Sequence, residues 1–313
     1  MKQYVFVCML AFAMIFPSSC GNPNATGTPE EILSKKAYSS IITKYKNIND
    51  FYEGVAIVEA NDKKGAINTK GTEIIPCKYG YLGDCSNGMI MFREEPEKYT
   101  YKYGYLNTKG EIIVPAIYDT ARPFSEGFAS VSTKAMNGMG YINTKGELAI
   151  PGPYDDCGAF NEGLALVIKG NRSMAIDKKG MAVITLGSSS IFFADSFSEG
   201  LIPIISDING GLKCAYINKS GNEVLPHQYD YAEGFINGTA YAIKDKTIIL
   251  INKKGEVLEK TTDIDVLNPI SVIHEGAMMA AMGLDLYNYD EDEDDEDDDD
   301  EDDDDWYDDE EDW

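Results

Sequence analysis

The stretch "GYLNTKGE" at Gly104–Glu111 returns almost unchanged as "GYINTKGE" at Gly140–Glu147. A chain that repeats itself at fixed spacing builds one supersecondary unit several times, and neighbouring units must bury each other's apolar faces. Two glycine series set the period. The first follows an acid or Asn, at Gly54, Gly88, Gly127, Gly163, Gly200 and Gly238, with steps of about 37 residues. The second closes "NTKG"-like words, at Gly71, Gly110, Gly146, Gly180, Gly221 and Gly255. Short apolar runs follow the second series, and four of them end in Pro76, Pro115, Pro151 and Pro226. Three runs then continue as Tyr118-Asp119, Tyr154-Asp155 and Tyr229-Asp230, and Gly276 restarts the pattern. The count is six repeats and the first strand of a seventh.

Each unit reads as strands. Two and four residues beyond the first Gly stand Ala56 and Val58, Ile90 and Phe92, Ala129 and Val131, Ala165 and Val167, Ile202 and Ile204, Ala240 and Ala242. This period of two predicts a buried face. The positions between them are mixed (Ser130, Pro203, Thr239), as on a partly wet face. A second strand centres on Ile67, Leu106, Ile142, Ile176, Ile217 and Ile251. Asn68, Asn107, Asn143, Asp177, Asn218 and Asn252 then open a four-residue word closed by the second Gly, the residue order of a type I turn. The six glycines of that word are the structural turn residues, because Gly takes positive φ freely. A third strand follows and ends where Pro removes a donor.

These words resemble the WG-repeat family of bacterial proteins, whose phrase runs F-x-E-G-L-A-x-V, W-G-Y-I-N, K-G-x-x-V-I-P, Y-D. The match covers about residues 49 to 261. The family's Trp is absent, replaced by Lys64, Tyr103, Met139, Ser173, Cys214 and Ile248, and its Gly survives as Gly65, Gly104 and Gly140. The resemblance implies a β-repeat scaffold. The expected fold is all-β, a six-unit array of three-stranded repeats. Three strands per unit, a leading helix and a leftover half-repeat favour an open, solenoid-like array. A closed, propeller-like ring is the alternative.

The ends are separate in character. Lys2, an apolar run from Tyr4 to Phe16 and the small residues Ser18 and Ser19 read as a signal peptide over 1–19. Cys20 follows at once, which resembles the lipobox of bacterial lipoproteins. The resemblance implies lipidation of Cys20 and, because Gly21 follows it, the outer membrane. Plain secretion is the alternative. Residues 20–28 form the lipidated Cys and a spacer. Thr28, Pro29 and Glu31 are a helix start, so a capping helix is predicted over 29–47. The repeat domain occupies 48–284 and an acidic tail 285–313. Residues 290–312 hold 21 carboxylates of the chain's 53 and no Lys or Arg. Such a block stays solvated and is expected to be disordered. Without it the formal charge of −26 shrinks to about −5, and no basic patch invites nucleic acid.

Chemistry is sparse. Glu53, Glu126, Glu162 and Glu199 precede the first Gly and would line up in stacked repeats, interrupted by Asn87 and Asn237. Such a row has two readings, a cation-binding or hydrolytic site and a solvated turn. His227 and His274 are the two histidines, and His227 reads as a surface residue. No spacing marks a catalytic triad, a zinc site or a phosphate loop, so no cofactor or metal is expected and the protein reads as non-enzymatic. Cys77 and Cys85 are the one close pair of cysteines beyond the leader. Tyr118, Tyr154 and Tyr229 share one repeat position and are the candidate binding surface, for glycan or peptide. The expected role is a cell-envelope scaffold for protein–protein interaction, held to the membrane by its lipid. A surface glycan- or cation-binding protein is the alternative.

Overall fold

The computed structural model describes residues 25–262 together with Val266, Ala281 and Met282. Cys20, the restart at Gly276 and the acidic tail lie outside the described residues. The chain forms six antiparallel sheets in chain order, each a meander in which every strand pairs with the next. Sheet 2 shows the pattern, with strands Tyr81–Ser86, Met89–Glu97, Thr100–Asn107 and Ile112–Tyr118. Sheet 1 carries a fifth strand, Ala25–Gly27, added at its edge against Asn47–Tyr52. Each unit thus has four strands where the sequence marks three. The extra strand precedes the first Gly, as in Asp156–Asn161 of sheet 4. In sheets 1, 2 and 4 its register shifts between Ile48 and Phe51, Leu82 and Cys85, and Cys157 and Phe160. A bulge breaks the alternation on which strand reading from sequence depends.

Both faces of the central strands are buried, which corrects the wet-face expectation. In sheet 2 Ile90 and Phe92 point back into a cluster with Val55, Ile57, Ala66 and Ile75 of sheet 1. Met89 and Met91 point forward into a cluster with Phe124, Ala129 and Val131 of sheet 3. The same alternation recurs at sheet 4, where Ala165 and Val167 face sheet 3 and Leu164 faces sheet 5. Stacking, unlike a single sheet on water, gives each strand two dry faces, and Ser130 is buried with the rest. Each large apolar side chain so placed contributes about 1.5–3 kcal/mol.

The end sheet would expose its backward face, and the N-terminal segment covers it. It forms two helices, Pro29–Ile32 and Lys35–Lys44, where the sequence predicts one over 29–47. Thr28 caps the first in a capping box, Leu33 turns extended, and Ser34 caps the second. The break lets Leu33, Ile41 and Tyr45 together pack on Phe51, Ala56, Val58 and Ile67. At the other end Val266, Ala281 and Met282 pack against the cluster of sheets 5 and 6. Among the described residues no core cluster joins sheet 1 to sheet 6. The array is open, and its first sheet is covered by the N-terminal helices.

Candidate functional site

The recurrent words turn out to be the joints of the array. The first-Gly turns are two-residue hairpins, closed by pairs such as Tyr52 with Val55 and Asn161 with Leu164. Both central residues take positive φ, for example Glu162 at 51° and Gly163 at 87°. That is the type I′ geometry, which favours Asn-Gly and Asp-Gly. Glu is a poor choice for a left-handed position, and four copies use it. The reason lies in the next repeat. The Glu53 carboxylate accepts from the N–H groups of Asn87 and Gly88 at 2.8 and 2.6 Å. Glu126, Glu162 and Glu199 accept from Gly163, Gly200 and Gly238 at 3.0, 2.9 and 3.0 Å. Asn87 does the same for Gly127. Lys178, Lys219 and Lys253, from the second turns, pair with Glu126, Glu162 and Glu199. The acidic row is therefore spent on amides and lysines of the following repeat. Among the described residues no group of three or more His, Cys, Asp or Glu side chains is arranged to hold a metal.

Other words staple the same joints. Ser86, Ser125 and Ser198 donate to the backbone oxygens of Phe124, Phe160 and Phe235 one repeat on. The phenols of Tyr105, Tyr141 and Tyr216 donate to Arg122, Gly158 and Glu233 at 2.7, 2.8 and 2.7 Å, and burial raises their pKa. In the second turns each Asn or Asp side chain accepts two N–H groups, as Asn143 does from Lys145 and Glu147. The six closing glycines take φ between +75° and +81°. Five of them also abut a buried side chain of the preceding sheet. A Cβ on Gly180 would stand 2.7 Å from Ile150, and one on Gly146 2.9 Å from Val114. Gly71 has no preceding sheet, and there Ile41 of the capping helix takes that place.

Tyr118, Tyr154 and Tyr229 are not a surface. They are 9%, 9% and 1% exposed and sit in the clusters joining their sheet to the next. A strand-end Tyr beside a chain that turns straight into the next sheet points into the joint. Asp119 and Asp230, which follow two of them, hold Lys102 and Lys213 and cap backbone N–H groups of Lys134 and Asp245. Cys77 and Cys85 are free thiols in different clusters. Burial pushes Cys85, Cys157 and Cys214 up to about 12. His227, read as a surface residue, is half-buried and bridges Glu223 at 2.8 Å and Ser206 at 2.9 Å. The order Glu–His–Ser is that of a hydrolytic triad. Ser206, however, is 4% exposed and shares its hydroxyl with Ser190 at 2.7 Å, so no substrate carbonyl reaches it as placed.

One polar group stands apart from the joints. The hairpin Met89–Glu97 and Thr100–Asn107 is among the longest of the array. Along it the Arg93 guanidinium lies 4.2 Å from the ring centre of Tyr101 and 5.6 Å from that of Tyr81. Lys64 of sheet 1 approaches the same Tyr81 ring at 5.8 Å. Asp84 lies close by, and burial pushes its carboxyl above the ordinary range against the pull of Asn49 and Lys64. A hollow of about 290 Å³ opens beside Lys64, walled also by Asn47, Asn49 and Glu59.

A family profile described as "WG containing repeat" matches residues 40–63, 65–99, 103–134, 139–172 and 215–247. The chain belongs to the WG-containing repeat family. The matched segments make up about half of its length, and the unmatched stretch 173–214 still folds into the end of sheet 4 and most of sheet 5. Among solved structures, a eukaryotic initiation factor is similar at 11% identity and a TM-score of 0.43, over 66% of this chain and 62% of that one. This chain therefore spans less than two thirds of that protein. BamB from Moraxella catarrhalis is similar at 12% identity and 0.39, over 67% and 70%. Hsv2 from Kluyveromyces lactis follows at 11% and 0.39, over 69% and 75%. No curated protein matches the chain.

Proposed function

We propose that this WG-repeat protein is a non-enzymatic scaffold of the cell envelope that docks another protein along one edge of its array. The supporting observation is a series of exposed apolar side chains on the edge strands. Ile112, Leu148, Val183, Val224 and Val257 are all exposed. They stand near the start of the last strands of sheets 2 to 6, each the edge of its sheet. Ile112, Leu148 and Val257 pair with Leu106, Ile142 and Ile251, whereas Val183 and Val224 lie one residue beyond that position. Edge strands carry unpaired backbone groups, and apolar rows on a soluble surface mark interaction sites. The joints, by contrast, are filled by the chain's own groups. A photo-crosslinking residue at Leu148 is expected to capture a partner in intact envelopes, and one at the exposed Lys179 is not. The triple change Ile112→Asp, Leu148→Asp and Val224→Asp is expected to abolish capture from a crosslinker at Val257. Unchanged capture by the triple variant refutes the edge as the docking surface.

The envelope address rests on the leader and Cys20. Cys20→Ala is expected to move the protein from the membrane to the soluble fraction. Retention in membranes after a carbonate wash refutes the lipid anchor.

A further inference from the structure

We propose that the Arg93 cluster is a carboxylate-binding site whose ligand is an acidic saccharide, a site beyond the docking edge. The guanidinium is held on tyrosine faces, Tyr101 at 4.2 Å and Tyr81 at 5.6 Å. Stacking of this kind fixes the plane of the group and turns its N–H edge outward. Among the described residues neither Arg93 nor Lys64 makes an ion pair. Their counterparts in the joints do, as Lys102, Arg122, Lys213 and Lys253 show. Two cations are brought to one ring from different sheets. Lys64 feels the Asp84 carboxyl without pairing with it, and the unpaired Arg93 guanidinium fits a ligand that brings the negative charge. The planar fork of Arg matches a carboxylate through two parallel hydrogen bonds.

The surroundings favour a sugar acid over an acidic peptide. The hollow beside Lys64 is mostly polar, with Asn47 and Asn49 on its wall. The Asn47 amide donates to Glu59 on the same wall and the Asn49 side chain bonds Asp84. The remaining amide N–H and C=O groups of the two are hydrogen-bond partners for hydroxyls. Asp84, raised by burial, keeps both donor and acceptor character closer to neutrality than an ordinary carboxylate does. Tyr99 and Tyr101 remain exposed on the hairpin, as platforms for a pyranose face.

The test is calorimetric titration of the purified full-length protein with oligogalacturonate, its methyl-esterified neutral form and polyglutamate. Oligogalacturonate is expected to bind at least about tenfold more tightly than either control, by the added strength of charge-assisted bidentate bonds. Arg93→Lys, which keeps the charge and loses the fork, is expected to weaken binding by about tenfold. Tyr101→Ala removes the platform and is expected to do the same. Both residues lie outside the core clusters, and unchanged far-UV dichroism verifies the fold. Absence of oligogalacturonate binding overturns the proposal, as does equal binding of the ester or of polyglutamate. Wild-type affinity in both variants overturns it too. Loss of partner capture at the edge leaves this site standing, so the two readings fail separately.

Discussion

Two glycines with nearly the same backbone angle separate the cost of strain from the cost of a joint. Gly180 has φ +77° and Gly200 has φ +82°. Alanine at either must adopt a left-handed conformation, at about 1–2 kcal/mol. At Gly200 the new methyl meets nothing within 4 Å, and at Gly180 it would stand 2.7 Å from Ile150 Cγ2. Ile150 is buried between sheets 3 and 4, and a stiff β-branched side chain in a filled core does not yield cheaply. Overpacking adds about 1–3 kcal/mol. Gly180→Ala is therefore expected to cost about 2–5 kcal/mol and Gly200→Ala about 1–2 kcal/mol. Both variants keep the backbone N–H, so the Gly200 bond to Glu162 survives. Urea titration followed by far-UV dichroism reads the difference as a lower midpoint for Gly180→Ala. In an Ile150→Ala background the Gly180 change is expected to fall back to the strain cost alone. Equal midpoints for the two single variants, or no coupling to Ile150, refute the reading of the second turn as a packing joint.

The Glu staples give a second expectation. Glu162→Ala leaves the Gly200 N–H without its acceptor and removes the carboxylate that pairs with Lys219, which keeps its bond to the backbone oxygen of residue 162. The change is expected to cost about 1–2 kcal/mol. Glu162→Asn, with a residue that tolerates positive φ and an oxygen placed as in Asn87, is expected to stay within about 0.5 kcal/mol of wild type. Denaturation midpoints distinguish this from any role that requires the carboxylate charge. Acid stability follows from lowered carboxyls. Lys44 and Tyr45 hold Glu73 down, and Lys102 holds Asp119 down. Stability from these groups is present above about pH 4 and is lost as acid protonates them in the fold; a flat profile below that pH contradicts the pairing. The buried thiols act at the other end. Their folded values are raised to about 12, so stability is complete below about pH 8.5 and is lost as alkali ionises the unfolded chain. Peptide-resolved alkylation at neutral pH is expected to label Cys77, which is partly exposed, well before Cys85, Cys157 or Cys214. Early labelling of Cys157 contradicts its burial.

Local chemistry in the sequence determined the repeat, its length, the three regular strands and both hairpin positions. A period of two, an Asn or Asp followed by Gly, and a terminating Pro act within a few residues, so they are visible without a partner. The WG resemblance rests on the same local words. Tertiary structure alone decided what those words are for. The fourth strand, such as Tyr81–Ser86, pairs through a bulge that hides its alternation. Glu162 looks like a solvated or ligand-binding carboxylate until Gly200 of the next repeat arrives at 2.9 Å. Tyr154 looks like a surface ring until sheet 4 covers it. The wet faces vanish for the same reason, because Ser130 and its neighbours are dried by a sheet lying one repeat away. Arg93 reads as one more surface charge in the sequence, and only the crossing of the long hairpin with Lys64 and Tyr81 gathers the cations into one place. The joint contacts among these, such as Glu162 with Gly200, join residues about one repeat apart along the chain. A residue's own sequence neighbourhood does not carry the identity of the group that will stack on it.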